Sequence, residues 1–359
     1  MKKKIKIGFN AKLFTSDELR GISRHTLHLV EELRMINYHM EIHFFSPAPI
    51  HQSIKMKFPH IVFHEIKTRP IFLWNLWVLP NLLRLNQIDI YHSTNNIGVP
   101  LFGAKKFILT IHDDITHRHR SKFSFNYLWD YINYQFEYIL LKKADAYITV
   151  SNDAKNKIAY SMKLLLNKIH PIYNGSNLVA INSIKREDYI LYVGGLDERK
   201  NIEYLIKEIN SFNPKQKLIL VSKIELANQS LKKLIHQSPN IEIISNVDDS
   251  KLIELYQKAR LVIIPSLEEG FGLPVIEAMQ LSCPLAISRI PIFEEISGGN
   301  VHFFNPKEES SLKKLLIDIL NNESMLNKFV SIAQKYSQKF SWKQMAQETY
   351  ELYWELLNK

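Results

Sequence analysis

The chain has 359 residues, 46% hydrophobic and 11% aromatic, which is more apolar surface than one core usually holds, so two domains are expected. Its single cysteine, Cys283, excludes an internal disulfide and a cysteine-built metal site, and a reducing compartment fits. The formal net charge of +10 asks for an anionic partner or a lysine-rich background, but no nucleic-acid motif accompanies it, so nucleic acid is not an expected partner.

In chain order, Met-Lys-Lys-Lys-Ile-Lys-Ile-Gly-Phe-Asn at the start has charge but no apolar stretch of signal-peptide length. No run of about eighteen apolar residues follows anywhere, and a soluble cytoplasmic protein is expected. A strand is predicted over Ile5 to Phe9, a helix over Ile22 to Leu33 and a strand over Ile42 to Ser46. The run Ile71 to Leu83, with Trp74 and Trp77, is broken by Pro80 and too short to span a membrane; it reads as a domain helix. Strands follow at Ile88 to His92 and Phe107 to Ile111. Arg118, Arg120, Lys122, Lys142 and Lys143 then bracket an aromatic stretch containing Phe123, Phe125, Tyr127, Trp129, Tyr131, Tyr134, Phe136 and Tyr138. Two readings of it stand, a surface resting on an anionic bilayer and a core-packing helix with basic ends. After a strand at Ala146 to Val150, Tyr173-Asn174-Gly175-Ser176-Asn177 and the polar stretch to Asp188 read as a turn and linker, with a domain boundary near residue 178. Strands are predicted beyond it at Tyr189 to Val193, Lys217 to Val221, Ile241 to Ile244 and Leu261 to Ile264, and a terminal helix at Trp342 to Leu357. Alternating short apolar strands and helices specify an α/β fold with parallel, doubly wound sheets, here in two sets.

The densest chemistry lies at Pro265-Ser-Leu-Glu-Glu-Gly-Phe-Gly-Leu-Pro-Val-Ile-Glu-Ala-Met279. Two carboxylates, Glu269 and Glu277, flank a turn made by Gly270 and Gly272, and Pro274 suits the first position of the helix that follows, with Glu277 on its first turn. Unpaired N–H groups at a helix start, met through a glycine turn, favour an anionic diphosphate. A carboxylate accepting two adjacent hydroxyls makes a chemically sensible ribose clamp. The plainer reading is two solvated acids at a positive dipole end. A second anion-binding candidate is Gly194-Gly195-Leu196-Asp197-Glu198-Arg199-Lys200-Asn201, where arginine supplies a planar fork and lysine a movable point charge after a strand. It also reads as a solvated turn. In the first half, Gly21-Ile22-Ser23-Arg24-His25 opens a helix, and Thr110-Ile111-His112-Asp113-Asp114 closes a strand at the edge where open α/β sheets place ligands. An imidazole there could donate to a sugar hydroxyl or carbonyl while Asp113 or a backbone carbonyl fixes its tautomer. His92-Ser93-Thr94-Asn95 and Ser151-Asn152-Asp153 also end strands and serve equally well as helix caps. His117 and His119 have no metal-ligand spacing.

The Glu269 to Glu277 stretch resembles the Glu-x7-Glu signature of the retaining glycosyltransferases of family 4, built on the GT-B fold, and the resemblance runs through most of the chain. It implies two Rossmann-like domains facing a cleft: residues 1–178 with a terminal helix at about 341–359 on the acceptor side, and 179–340 on the donor side. By that resemblance Glu277 takes the donor ribose, Glu269 and His112 contact the donor sugar, Arg199 and Lys200 meet the diphosphate, and Gly270, Phe271, Gly272, Leu273 and Gly21 line the donor site. The sequence departs from the commoner family pattern at Gly195, where an arginine usually stands, and at Ser23 and His25, which replace a glycine and an aromatic residue.

A glycosyl-phosphate bond breaks to an oxocarbenium-like sugar and an anionic diphosphate, so the expected catalysis is charge stabilisation without a protein nucleophile. The resemblance implies retention of configuration. No Asp-x-Asp triplet occurs, and metal-independent transfer without a cofactor is expected. Expected partners are a nucleotide sugar, GDP-mannose first and a UDP-hexose second, a saccharide or polyprenyl-linked acceptor, and the inner-membrane surface. Two alternatives stand beside this one: another GT-B enzyme, such as a sugar-nucleotide epimerase or phosphorylase, and a glycosyltransferase-like binding subunit without turnover.

Overall fold

The computed structural model describes residues 4–16, 21–36, 40–69, 71–114, 128–176, 178–180, 185–212 and 214–359. The chain divides into two compact units, Met1–Asn174 with Trp342–Lys359, and Gly175–Ser341. Each is built on its own parallel sheet.

The first sheet has seven strands: β1 Ile5–Asn10, β2 Met40–Ser46, β3 Val62–Glu65, β4 Ile90–Ser93, β5 Lys106–Ile111, β6 Ala146–Thr149 and β7 Ile169–Pro171. Their order is β3-β2-β1-β4-β5-β6-β7, so the winding reverses between β1 and β4. Strands covered on both faces need apolar residues in succession, and Ile108, Leu109 and Ile111 of β5 are all fully buried. The sequence reading did not include β3 and β7. Both lie at sheet edges; β3 carries His64 and Glu65 with Val62 39% exposed, and β7 ends in Pro171, which an edge tolerates because no ladder donor is lost there.

The run after residue 70 is helical from Ile71 to Leu85, with a π turn over Trp74–Val78. It anchors Trp74, Leu79 and Leu83 in a core with Phe45, Ile88 and Tyr91, while Trp77 on the other side is 69% exposed. Of the basic and aromatic stretch, Arg118, Arg120, Lys122, Phe123, Phe125 and Tyr127 lie outside the described residues, as do His117, His119 and the side chains of Trp129, Tyr131 and Tyr134. In its described part Lys142 Nζ sits 5.0 Å over the Tyr138 ring. Among the described residues no helix is long and apolar enough to cross a membrane.

The terminal helix Trp342–Asn358 packs on the helix Gly21–Ile36 within the first unit. Trp342 stacks on His28 at 4.7 Å between ring centres, and Tyr353 reaches into the sheet to hydrogen-bond His92 Nδ1 at 2.6 Å.

The second sheet has six strands: β8 Tyr189–Val193, β9 Lys217–Val221, β10 Ile241–Ile244, β11 Leu261–Ile264, β12 Leu285–Ser288 and β13 His302–Phe304. Their order, β10-β9-β8-β11-β12-β13, reverses between β8 and β11. The strands β12 and β13 are additions to the sequence reading. Leu-Ala-Ile-Ser and His-Phe-Phe are too short to carry a period, and they become strands by pairing in register with β11 and with each other.

Candidate functional site

In an open parallel sheet the loops leaving two strands at a winding reversal part to opposite faces and open a crevice at the carboxyl ends. In the second unit that reversal lies between β8 and β11, and the two loops leaving them carry Arg199, Lys200 and Glu269. The loops are tied by a backbone bond from Leu267 N to Arg199 O, 2.8 Å. Lys200 Nζ donates to Glu269 Oε1 at 2.5 Å, Arg199 Nη1 to Glu269 Oε2 at 3.2 Å, and Ser266 Oγ to Glu269 Oε1 at 2.8 Å. Arg199 Nε also pairs with Asp197 Oδ1 at 2.9 Å. The Glu269 side chain is only 8% exposed and Lys200 13%, so each charge is largely stripped of water and depends on the other. Arg199, 34% exposed, is the outer member. Below them Tyr192 donates to Gly195 O at 2.6 Å; burial and the charges of Glu269 and Asp197 push its phenol well above the usual tyrosine range, so it remains a donor.

Gly270 and Gly272 form the turn into the helix Leu273–Gln280. Gly272 has φ +101°, and a Cβ there would lie 2.7 Å from Phe293 Cε1, so both conformation and packing require glycine. The helix begins one residue earlier than expected, with Leu273 first and Pro274 second, and no acidic residue lies in its first turn. Glu277 is therefore in the second turn, a correction that weakens the plainer reading of an acid placed for the dipole, since that effect fades beyond the first turn. Its Oε2 accepts from Tyr256 Oη at 2.8 Å. Phe271 is buried and packs edge-on against Phe340 at 5.9 Å, so its ring serves the core and only its backbone is suited to a ligand. Neither Ser266 nor Tyr256 figures among the candidates from sequence. A serine just after Pro265 in the motif was a usable signal, whereas Tyr256 is an apolar position of the helix Asp249–Lys258 like any other.

In the first unit His112 ends the chain's exit from β5 and is 9% exposed. Its backbone N–H donates to Asn96 Oδ1 at 2.7 Å, and ring Nε2 lies 2.9 Å from Thr94 O. A carbonyl only accepts, so Nε2 holds the proton and Nδ1 the lone pair. Thr94 O fixes the tautomer, and Nδ1 is then an acceptor, which corrects the expectation of a donating ring. Burial lowers its pKa to about 4, and the ring is neutral near pH 7. His25 stands edge-on to it at 4.8 Å, with Nδ1 2.8 Å from Asn174 Oδ1 and Nε2 buried without a partner. Its pKa is also lowered, first by burial and then by His112. His92, held by Tyr353 and by Thr110 Oγ1 at 2.7 Å, is lowered by burial to about 3. Three adjoining neutral imidazoles were not legible from their separate positions in the chain. At Gly21 an added Cβ would meet nothing within 4 Å, so packing does not demand glycine there. Ser151 is a helix cap, accepting from Ala154 N at 3.0 Å. Among the described residues no group of three His, Cys, Asp or Glu side chains could hold a metal ion.

The family model for glycosyltransferase family 4 matches residues 19–179, and that for group 1 glycosyl transferases matches residues 177–336. The O-antigen chain mannosyltransferase RfbU of Salmonella typhimurium is 28% identical over 249 residues, 66% of this chain and 70% of that protein. Sucrose-phosphate synthase from Thermosynechococcus elongatus superposes with a TM-score of 0.75 over 99% of this chain and all of that one, at 18% identity. Anabaena Alr3699/HepE, solved with UDP and glucose, superposes with a TM-score of 0.71 over 97% of this chain and 99% of that one, also at 18% identity. Two Rossmann-like sheets, each with candidate residues at its winding reversal or strand ends, and two adjoining family matches over nearly the whole chain have one explanation: the protein belongs to the family 4 glycosyltransferases of the GT-B fold.

Proposed function

We propose that the chain is a retaining hexosyltransferase that moves mannose from GDP-mannose to a saccharide acceptor carried on a polyprenyl lipid, in the synthesis of a bacterial surface polysaccharide. A UDP-hexose is the second choice of donor. The observation that carries the reading is the Lys200–Glu269–Arg199 cluster at the carboxyl ends of β8 and β11, beside the Gly270 to Leu273 turn. An arriving diphosphate gives Arg199 and Lys200 new anionic partners, and the backbone amides of the turn add donors at the helix start. Glu277 takes the ribose hydroxyls and Glu269 the donor sugar.

In the transfer itself the bond from the anomeric carbon to the phosphate oxygen breaks, and the acceptor oxygen bonds that carbon from the same face. The acceptor proton goes to the departing phosphate, so no protein nucleophile and no change of oxidation state are needed. Arg199 and Lys200 stabilise the charge that collects on the leaving group. The mannosyl and O-antigen assignments draw on the name of the Salmonella relative, and a nucleotide-sugar donor is supported by the UDP and glucose bound to the Anabaena structure. The work is done at the inner face of the membrane, where the net charge of +10 favours anionic lipid.

Melting temperatures measured with GDP, UDP, ADP and their sugar conjugates test the reading. A ligand at a hundred times its dissociation constant adds about 2.7 kcal/mol to the folded state, and GDP and GDP-mannose are expected to give the largest shift. If no nucleotide at millimolar concentration raises the melting temperature, the donor-site reading fails and a non-catalytic role takes its place. With a lipid-linked acceptor, turnover should give the α-linked product and persist in excess chelator. Epimerised or phosphorolysed donor instead would assign a different GT-B reaction, and loss of activity on chelation would end the metal-independent mechanism.

A further inference from the structure

Tyr256 is fully buried on the helix Asp249–Lys258, and its hydroxyl donates to Glu277 Oε2 at 2.8 Å. A phenylalanine fills nearly the same space, so the hydroxyl adds little to packing, and burying it is unfavourable unless it finds an acceptor. Here the acceptor is one oxygen of the half-buried Glu277 carboxylate, at an ordinary O–H···O distance. The backbone of Tyr256 has a weaker tie. Its carbonyl accepts from Cys283 Sγ at 2.9 Å, just past the end of the helix that carries Glu277. Burial pushes the Cys283 thiol up to about 12, and burial together with the Glu277 charge pushes the Tyr256 phenol well above its usual range. Both groups stay protonated and keep donating. Tyr256 thus touches the Glu277 helix twice, once at its second turn through the phenol and once beyond its end through the chain's single cysteine.

We infer that Tyr256 is a positioning residue for the donor nucleotide: its hydroxyl sets the plane and rotamer of the Glu277 carboxylate so that two adjacent ribose hydroxyls can be met together. A carboxylate accepts two neighbouring hydroxyls well only in a narrow range of orientations, and a partner on its inner oxygen selects that range. The inference rests on the reading above in which Glu277 takes the ribose. It gives Cys283 a structural use, as the donor that fixes the Tyr256 carbonyl, in place of any redox one.

The test is calorimetric binding to the full-length chain of GDP, or of UDP should that give the larger thermal shift, alongside the 2′,3′-dideoxy form of the same diphosphate. Wild type should prefer the ribose form. Tyr256→Phe should weaken it about tenfold while leaving the dideoxy form within a factor of two, because only the ribose contact is lost. Equal weakening of both forms would mark Tyr256 as merely structural, and no weakening of either would mark its hydroxyl as idle; each result overturns the inference. Glu277→Gln separates the inference from the reading beneath it. If that variant keeps the full ribose preference, Glu277 does not read the ribose and both fall. If it abolishes the preference while Tyr256→Phe retains it, only the role of Tyr256 falls. Should Tyr256→Phe not fold, Glu277→Asp draws the carboxylate back from the phenol by one methylene, and an unchanged ribose preference in that variant would overturn the inference equally.

Discussion

Lys200 and Glu269 are bound so closely that a substitution at either changes both the fold and the chemistry, and the two effects need separating. Replacing Lys200 by Met leaves a carboxylate 8% exposed with Arg199 and Ser266 as its remaining partners. Loss of one member of a fully buried pair costs roughly 3–5 kcal/mol, but Arg199 is about one third exposed and can adjust, so about 2 kcal/mol is expected here. Turnover should fall further, on the order of 10²-fold or more, because the departing diphosphate loses a preorganised cation. In the double variant Lys200→Met/Glu269→Gln, denaturant unfolding should return much of the stability, since no unpaired buried charge remains, while turnover stays low. Recovery of turnover with stability would assign the pair to the fold alone. At this scale the sequence named the charged groups, because Arg, Lys and Glu beside glycine turns stand out. It did not pair Arg199 and Lys200 with a carboxylate 70 and 69 positions away, nor find the buried donors Ser266 and Tyr256, because a hydrogen bond made by folding leaves no local pattern.

Two of the three glycines named for the donor site, Gly272 and Gly21, behave oppositely as parts of their elements. Gly272 sits at φ +101° with Phe293 pressed against the place a Cβ would take, so Gly272→Ala combines a strained backbone with overpacking. The expected loss is about 2–5 kcal/mol, read by chemical denaturation. Gly21 is the first residue of its helix and has open space around it, so Gly21→Ala should leave stability unchanged or raise it by up to about 1 kcal/mol. A fall in donor or acceptor affinity in that variant, with stability intact, would report on a ligand and not on the chain. A loss of stability at Gly21 as large as at Gly272 would contradict the packing described for both. Elements were most legible where burial on both faces forces a continuous apolar run, as in β5, β8 and β11. The strands that were not legible, β3, β7, β12 and β13, have three or four residues that mix apolar with polar or proline positions, and they are defined by their neighbours' ladders.

Across the whole molecule the two units differ in how they respond to acid. The first contains His25, His43, His60, His64, His92, His112 and His170, each with its pKa lowered chiefly by burial, to about 4 for His64 and His112 and about 3 for His92. The second has only His302 so affected among its described residues. A folded pKa below the unfolded value near 6.5 means that the unfolded chain binds more protons once the pH drops under 6.5. Stability from these groups is therefore complete above that pH and declines as the pH falls towards 4 and 3. Each fully buried imidazole contributes a slope of about 1.4 kcal/mol per pH unit in that window. The carboxylates Glu31 and Glu254, lowered to about 2 by hydrogen bonds to His28 and Lys258 first, add their own loss of stability only as the pH falls below the unfolded value near 4.5, so they do not enter the interval from pH 7 to pH 5. All five tryptophans, Trp74, Trp77, Trp129, Trp342 and Trp354, belong to the first unit, so intrinsic fluorescence follows its unfolding alone. Between pH 7 and pH 5 the fluorescence midpoint in denaturant should drop sharply. Hydrogen exchange at the amides of β8 and β11 should change far less over the same interval. A His92→Gln variant, which keeps polar groups for Tyr353 and Thr110 without a titrating ring, should flatten the slope of the first unit by about one histidine's share. Parallel loss in both units, or an unchanged slope in that variant, would show that acid acts on the assembled charge of +10 and not on the buried rings.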